Sequence, residues 1–153
     1  MKIQFKKLIF CIAIPLAVGG ISALLTSNTM ETFSTINKPP LSPPAWLFPV
    51  VWTILYVLMG IASYLVLTSE KPNRDALTTY AIQLAFNFFW SIIFFNFELY
   101  LLAFIWLVLL WLLILKTTKQ FYEISKPAGY LMVPYLLWVT FAGYLNLAIY
   151  LLN

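Results

Sequence analysis

The feature that most constrains this chain is a series of five apolar runs, none of which contains a charged residue. They cover residues 8–25, 46–67, 76–95, 99–115 and 131–152. A helix rises about 1.5 Å per residue, so runs of this length cover roughly 26 to 33 Å, close to a hydrocarbon thickness of about 30 Å. Each run can satisfy its own backbone hydrogen bonds as a helix in lipid. The sequence therefore predicts an all-α integral membrane protein, a single domain over residues 1–153 that folds as a five-transmembrane-helix bundle.

The composition excludes several other classes of protein. Only 9% of the residues are charged, against about 25% in an average soluble domain, which is too few to cover a soluble core. The absence of histidine and the single cysteine, Cys11, exclude disulfides, zinc sites and histidine-based catalytic triads. We expect no metal site and no required cofactor. The net charge is +4, and the basic residues lie beside the apolar runs. This placement is typical of membrane topology, so we expect no nucleic-acid partner.

Basic residues are distributed unevenly among the connections. Eight of the nine lie before the first run, in the second connection or in the fourth connection, and Lys38 is the exception. The positive-inside rule therefore predicts the N-terminus inside and the C-terminus outside, and favours a bacterial plasma membrane. We expect residues 116–126 to form a charged loop and residues 96–98 a tight turn between the third and fourth helices.

The first run has a second possible interpretation. Basic residues, an apolar stretch and small residues at positions 19–23 would also fit a cleaved signal peptide. The small residues, among them Gly19 and Ala23, equally suit close packing between membrane helices. The prediction of five spans keeps this run as the first helix.

Polar and aromatic side chains recur at helical spacing on three of the runs. The stripes are Trp52, Tyr56, Gly60 and Ser63 in the second run, Tyr80, Gln83, Asn87, Trp90 and Phe94 in the third, and Tyr135, Trp138, Ala142 and Asn146 in the fifth. Because an amide in hydrocarbon is costly, Gln83 and Asn87 should face the interior, either as hydrogen bonds between helices or as part of a site. The three stripes together predict a flat, mostly apolar pocket that suits a large planar ligand.

Three sequence blocks carry a resemblance to a known family. They are residues 38–60 (KPPLSPPAWLFPVVWTILYVLMG), 87–95 (NFFWSIIFF) and 134–146 (PYLLWVTFAGYLN). In this order they resemble the TspO/MBR family of tryptophan-rich sensory proteins and translocator proteins, also described as peripheral-type benzodiazepine receptors. The resemblance implies a five-helix bundle, commonly a homodimer. It also implies that the long first loop, residues 26–45, is a lid over a pocket for porphyrins such as protoporphyrin IX or for other planar hydrophobic molecules.

The resemblance and the stripes together give the candidate site residues. The ligand-binding positions are Trp52, Tyr56, Asn87, Trp90, Trp138, Ala142 and Leu145 from the resemblance, with Tyr135 from the fifth-run stripe, and the lid positions are Lys38, Pro39, Pro40, Pro43 and Pro44. One family feature is missing, because Tyr150 is followed by no basic residue. A dedicated cholesterol site of the proposed motif type is therefore not expected.

Three functions remain open from the sequence. The first is a porphyrin-binding membrane protein that acts as a tetrapyrrole sensor, carrier or regulator. The second is light- and oxygen-dependent porphyrin degradation, in which Trp52 or Trp138 would donate electrons and no acid–base pair is needed. The third is a transporter or an assembly partner for another membrane protein. The residues alone do not separate binding from turnover.

Overall fold

The computed structural model describes residues 2–27 and 35–153. Five long helices make up this part of the chain. They are α1 (Phe5–Thr26), α2 (Leu47–Leu67), α3 (Arg74–Ser91, continued by a π-helical turn over Ile92–Asn96), α4 (Tyr100–Ile124) and α5 (Lys126–Leu152). All five are long and apolar enough to cross a membrane, which confirms the predicted fold class. The predicted first loop runs through residues 28–34, which lie outside the described residues.

The outer surface of the bundle is apolar. Large hydrophobic side chains such as Leu24 and Leu137 are 76% and 64% exposed, although each lies in the middle or end of a long helix. A soluble protein rarely exposes apolar surface on this scale, whereas lipid tails solvate it readily. The exposed apolar surface and the helix lengths together define a multi-pass integral membrane protein.

The prediction of a charged loop over residues 116–126 is wrong. Helix α4 continues to Ile124, and Ser125 alone, in an extended conformation, separates it from α5. Lysine and glutamine are good helix formers, so the helix does not stop where the hydrophobic run stops. Thr117 and Phe121 are buried in this extension, and packing against the start of α5 stabilises it.

Glycine allows two of the helix pairs to approach closely. A Cβ atom at Gly60 of α2 would lie 2.6 Å from the Cα of Ile12 and 2.9 Å from the carbonyl oxygen of Cys11, both on α1. At the other crossing, a Cβ at Gly129 of α5 would lie 2.5 Å from the Cβ of Tyr122 on α4. Gly60 was predicted as part of an aromatic stripe, and the structure places it in the contact between α1 and α2.

Hydrogen bonds fix both ends of the bundle. At one end, the backbone N–H of Gln4 donates to the Tyr64 hydroxyl over 2.8 Å. At the opposite end, the tight turn predicted at residues 96–98 is present, and the Asn96 side chain donates to the carbonyl oxygen of Leu25 over 3.0 Å. Glu98 in this turn has a φ of 54°, a left-handed conformation that reverses the chain within three residues.

Candidate ligand-binding site

A cavity of about 350 Å³ opens at the end of the bundle that carries the C-terminus. It lies among α1, α2, the end of α3, α5 and the first-loop segment, which we define as residues 35–46. Its principal lining residues are Gly19, Ser22, Ala23 and Thr26 of α1, Phe48, Trp52 and Tyr56 of α2, Trp90 and Phe94 of α3, Trp138, Ala142, Leu145, Asn146 and Ile149 of α5, and Lys38, Ser42, Pro43 and Ala45 of the first-loop segment. Small-molecule sites commonly enclose about 300 to 1,000 Å³. The cavity is therefore large enough to be a binding site.

Aromatic rings form much of the cavity wall on α2, and Trp138 adds one ring from α5. The ring of Trp52 stacks on that of Tyr56 at a centroid distance of 5.5 Å and an angle of 28°. The ring of Trp138 meets that of Phe48 edge to face at 5.8 Å. Such contacts hold the rings in fixed orientations, so the wall presents preformed aromatic surface to a ligand.

Helix α1 supplies another wall of the cavity, which consists mainly of small residues. Gly19 lies against the Tyr56 ring so closely that a Cβ atom at this position would overlap the ring. A Cβ atom at Gly20 would have no described atom within 4 Å, and Gly20 also faces the cavity. The small residues of α1 thus bring this helix up to α2 and at the same time leave room beside the aromatic wall.

A chain of four hydrogen-bonded side chains lies beneath the cavity. The Tyr56 hydroxyl donates to Asn87 Oδ1 over 2.8 Å, Asn87 Nδ2 donates to the Tyr135 hydroxyl over 2.7 Å, and the Tyr135 hydroxyl donates to Gln83 Oε1 over 2.7 Å. All four side chains are buried, and they join α2, α3 and α5. Asn87 and Gln83 therefore link the helices through hydrogen bonds. Through its bond to Tyr56, Asn87 also fixes this side chain where it meets the cavity.

A second polar group reaches the cavity wall from α5. Trp90 Nε1 donates to Asn146 Oδ1 over 3.0 Å, and Asn146 Nδ2 donates to the carbonyl oxygen of Tyr100 over 2.9 Å. The indole N–H of Trp138, by contrast, is buried and has no hydrogen-bond partner among residues 2–27 and 35–153. The cavity wall thus has few polar atoms, and most of them already hold one another in place.

The structure brings most of the sequence-predicted positions to this cavity. Trp52, Tyr56, Trp90, Trp138, Ala142 and Leu145 line it, as do Lys38 and Pro43 of the first-loop segment. Asn87 and Tyr135 lie one layer deeper, in the hydrogen-bonded chain. Pro39, Pro40 and Pro44 are in the same segment but do not line the cavity.

Helix α1 contributes to the cavity, which was not predicted from the sequence. Gly19 and Ala23 were interpreted only as helix-packing residues, and Ser22 and Thr26 were not considered. The hydroxyl of Thr26 donates to the backbone carbonyl oxygen of Ser22 over 2.9 Å, so the helix itself supplies an acceptor for this polar side chain. Small and hydroxyl residues at positions 19, 22, 23 and 26 share one helix face, and this spacing was the signal available.

The fold and the cavity define a class of protein: a multi-pass helical membrane protein with an aromatic cavity inside the bundle. Comparison with known proteins gives the family. The TspO/MBR family model matches residues 11–152, nearly the whole sequence. The chain belongs to the TspO/MBR family.

Its relatives come from bacteria, archaea and animals. The chain is 43% identical to the tryptophan-rich protein TspO of Chlorobaculum tepidum, over 100% of this chain and 99% of the relative. It is 38% identical to the protein of the same name from Archaeoglobus fulgidus, over 96% and 97% of the two chains. It is 35% identical to the translocator protein of Bos taurus, over 74% of this chain and 70% of the relative.

Proposed function

We propose that this protein binds porphyrins of the protoporphyrin IX type, or other flat hydrophobic molecules, in the cavity and acts as a tetrapyrrole sensor, carrier or regulator. The observation that carries the proposal is the convergence of Trp52, Trp90 and Trp138 on one cavity inside a membrane bundle. Indole rings stack on extended π-systems, and an apolar wall favours a ligand that partitions from water or lipid. The proposal includes the first-loop segment as a lid, a homodimeric assembly and residence in a bacterial plasma membrane.

The exposed Lys38 adds a preference to this proposal. Its side chain lines the cavity while remaining exposed, so it marks the rim. An ammonium at the rim of an apolar cavity attracts carboxylates, and porphyrins of this type carry carboxylates at one edge of the ring. We therefore expect the macrocycle to lie against the tryptophans with its acidic edge toward Lys38.

Tryptophan fluorescence quenching tests the binding proposal. Titration of the purified protein with protoporphyrin IX should quench its fluorescence to saturation, and Trp138→Phe should weaken the affinity about three- to thirtyfold because it removes part of the stacking surface. The matched control is Trp46→Phe, since Trp46 is 67% exposed and does not line the cavity. Equal affinity in wild type and Trp138→Phe would contradict binding in this cavity.

Asn87→Leu tests the layer beneath the cavity. The change removes the acceptor of the Tyr56 hydroxyl, so Tyr56 loses its fixed position on the wall. We expect a smaller loss of protoporphyrin IX affinity than in Trp138→Phe, because Asn87 acts through Tyr56. An affinity loss larger than that of Trp138→Phe would mean that Asn87 contacts the ligand directly.

The position of Trp52 and Trp138 favours a second function, light- and oxygen-dependent degradation of the bound porphyrin. An excited porphyrin can accept an electron from an indole in contact with it, and molecular oxygen is the terminal oxidant, so the ligand supplies the reactivity. Samples with protoporphyrin IX should be compared in light and dark, with and without oxygen. A changed tetrapyrrole spectrum only in light with oxygen, lost in the Trp52→Phe, Trp138→Phe double variant, would support turnover. Bleaching no different from that of free porphyrin would contradict it.

A further inference from the structure

Asn153, which directly follows α5, forms a paired contact with the first-loop segment. Asn153 Oδ1 accepts a hydrogen bond from the backbone N–H of Asn37 over 3.1 Å. Asn153 Nδ2 donates to the backbone carbonyl oxygen of the same Asn37 over 2.8 Å. One carboxamide thus satisfies both backbone groups of one residue 116 positions away, and we call this contact the Asn153 clasp.

The clasp differs from an ordinary helix cap. Asn153 Nδ2 also donates to the carbonyl oxygen of Ile149 over 2.9 Å, which is the bond that a cap at the end of α5 would make. The backbone N–H of Asn153 already donates to that same carbonyl oxygen over 3.1 Å, so the end of α5 does not need the carboxamide for this acceptor. The other amide hydrogen and one lone pair of Oδ1 go to Asn37, so two of the three hydrogen bonds of the carboxamide hold the loop.

The clasp acts on the part of the loop that meets the cavity. Asn37 directly precedes Lys38, which lines the rim. A second attachment follows three residues later, where the Tyr144 hydroxyl of α5 donates to the carbonyl oxygen of Pro40 over 2.8 Å. Between these two points lies Pro39, which is buried and has a restricted φ. Residues 37–40 are therefore held along α5 from both sides of Lys38.

We propose that Asn153 is a positioning residue for ligand exchange: by clasping the backbone of Asn37 it holds Lys38 and the first-loop segment over the cavity. The expected effect on ligand exchange rates rests on the proposed porphyrin-binding function. The expected effect on the mobility of the first-loop segment does not. Release of the clasp removes two of the hydrogen bonds that hold Asn37 to the end of α5 and leaves the longer bond from Asn37 Nδ2 to Leu152, so the rim opens more often and ligand enters and leaves faster. The equilibrium affinity changes less than the rates, because the cavity wall itself is untouched.

The structural test needs no ligand. A nitroxide is attached at Leu41→Cys, which is exposed and lies beside the clasped residues, in a Cys11→Ala background that removes the single native cysteine. We expect Asn153→Ala to increase the mobile component of the spin-label spectrum, while Leu151→Ala, an exposed change at the same helix end, leaves it as in wild type. Identical spectra for Asn153→Ala and wild type would overturn the proposal. The purification tag belongs at the N-terminus, so that Asn153 keeps its contacts.

The kinetic test uses protoporphyrin IX in stopped-flow fluorescence. Asn153→Ala should raise the association and dissociation rates by about three- to tenfold each, the scale expected for two partly exposed hydrogen bonds, with a smaller change in Kd. Asn37→Ala should have a smaller effect than Asn153→Ala, because it removes only the long 3.4 Å bond from Asn37 Nδ2 to Leu152 and keeps both backbone bonds of the clasp.

The outcomes separate the two proposals. Absence of protoporphyrin IX binding to wild type would overturn the proposed function, while the spin-label result would still decide whether the clasp holds the loop. Binding with rates unchanged in Asn153→Ala would overturn the positioning role even if the loop becomes mobile. A change in dissociation rate alone, matched by an equal loss in Kd, would show that Asn153 stabilises the bound ligand and does not control exchange.

Discussion

The Tyr135 hydroxyl lies where hydrogen bonds between α3 and α5 meet. It accepts from Asn87 Nδ2 and donates to Gln83 Oε1, so a single oxygen on α5 bonds two amide side chains of α3. Tyr135 is 1% exposed and Gln83 is 0% exposed, so no water replaces these bonds. Removal of this oxygen leaves two buried polar groups without partners, which costs more than the bonds themselves contribute.

We therefore predict that Tyr135→Phe lowers the free energy of unfolding by about 1 to 3 kcal/mol. The measurement is the midpoint of thermal unfolding in detergent, followed by the helical circular-dichroism signal. Tyr150→Phe is the matched control, since Tyr150 lies near the exposed end of the same helix. Equal midpoints for the two variants would contradict the assigned role of the hydroxyl.

At the scale of helices, the two glycines Gly60 and Gly143 have opposite environments. Gly60 lies where α2 crosses α1, and a side chain there would meet backbone atoms of Cys11 and Ile12, which cannot move without shifting α1. At Gly143, no atom in the part of the chain that the structure describes lies within 4 Å of where a Cβ would be. The same substitution therefore has different consequences at the two positions.

Gly60→Ala should destabilise the protein by about 1 to 3 kcal/mol because α1 and α2 must separate. Gly143→Ala should be neutral or stabilise by up to about 1 kcal/mol, since alanine restricts the unfolded chain and favours the helix. Thermal unfolding of both variants in one detergent gives the comparison. A destabilised Gly143→Ala, or an unaffected Gly60→Ala, would show that this description of the crossing is wrong.

At the scale of the whole molecule, the sequence predicted the number and order of the helices because hydrocarbon imposes a minimum length and excludes charge. It did not predict where α4 ends, because the end of an apolar run is not a helix stop and Lys116 does not break a helix. The stripes grouped Trp52, Trp90 and Trp138, and these three side chains line one cavity in the structure. Two features depend on contacts between segments far apart in sequence: the packing of Gly19 beside the cavity and the Asn153 clasp. Periodicity within one helix does not reveal such contacts.

The predicted orientation, with the N-terminus inside, also belongs to this scale. In a Cys11→Ala background, Leu41→Cys should react with a membrane-impermeant maleimide in intact cells, whereas Glu70→Cys should react only after permeabilisation. Both side chains are exposed, at opposite ends of the bundle, so accessibility to the reagent depends on the side of the membrane. Labelling of Glu70→Cys in intact cells would reverse the orientation.

The chain of Tyr56, Asn87, Tyr135 and Gln83 has a consequence for biosynthesis. A ribosome delivers α2 and α3 before α5, so Tyr56 can meet Asn87 early, whereas Gln83 and the second half of the Asn87 amide have no Tyr135 until the last helix enters the bilayer. Until then α3 carries unsatisfied amide groups in or beside lipid, which is costly. Completion of the final helix therefore supplies the bonds that hold α3 in place, and a chain truncated before α5 leaves its third helix poorly anchored in the membrane.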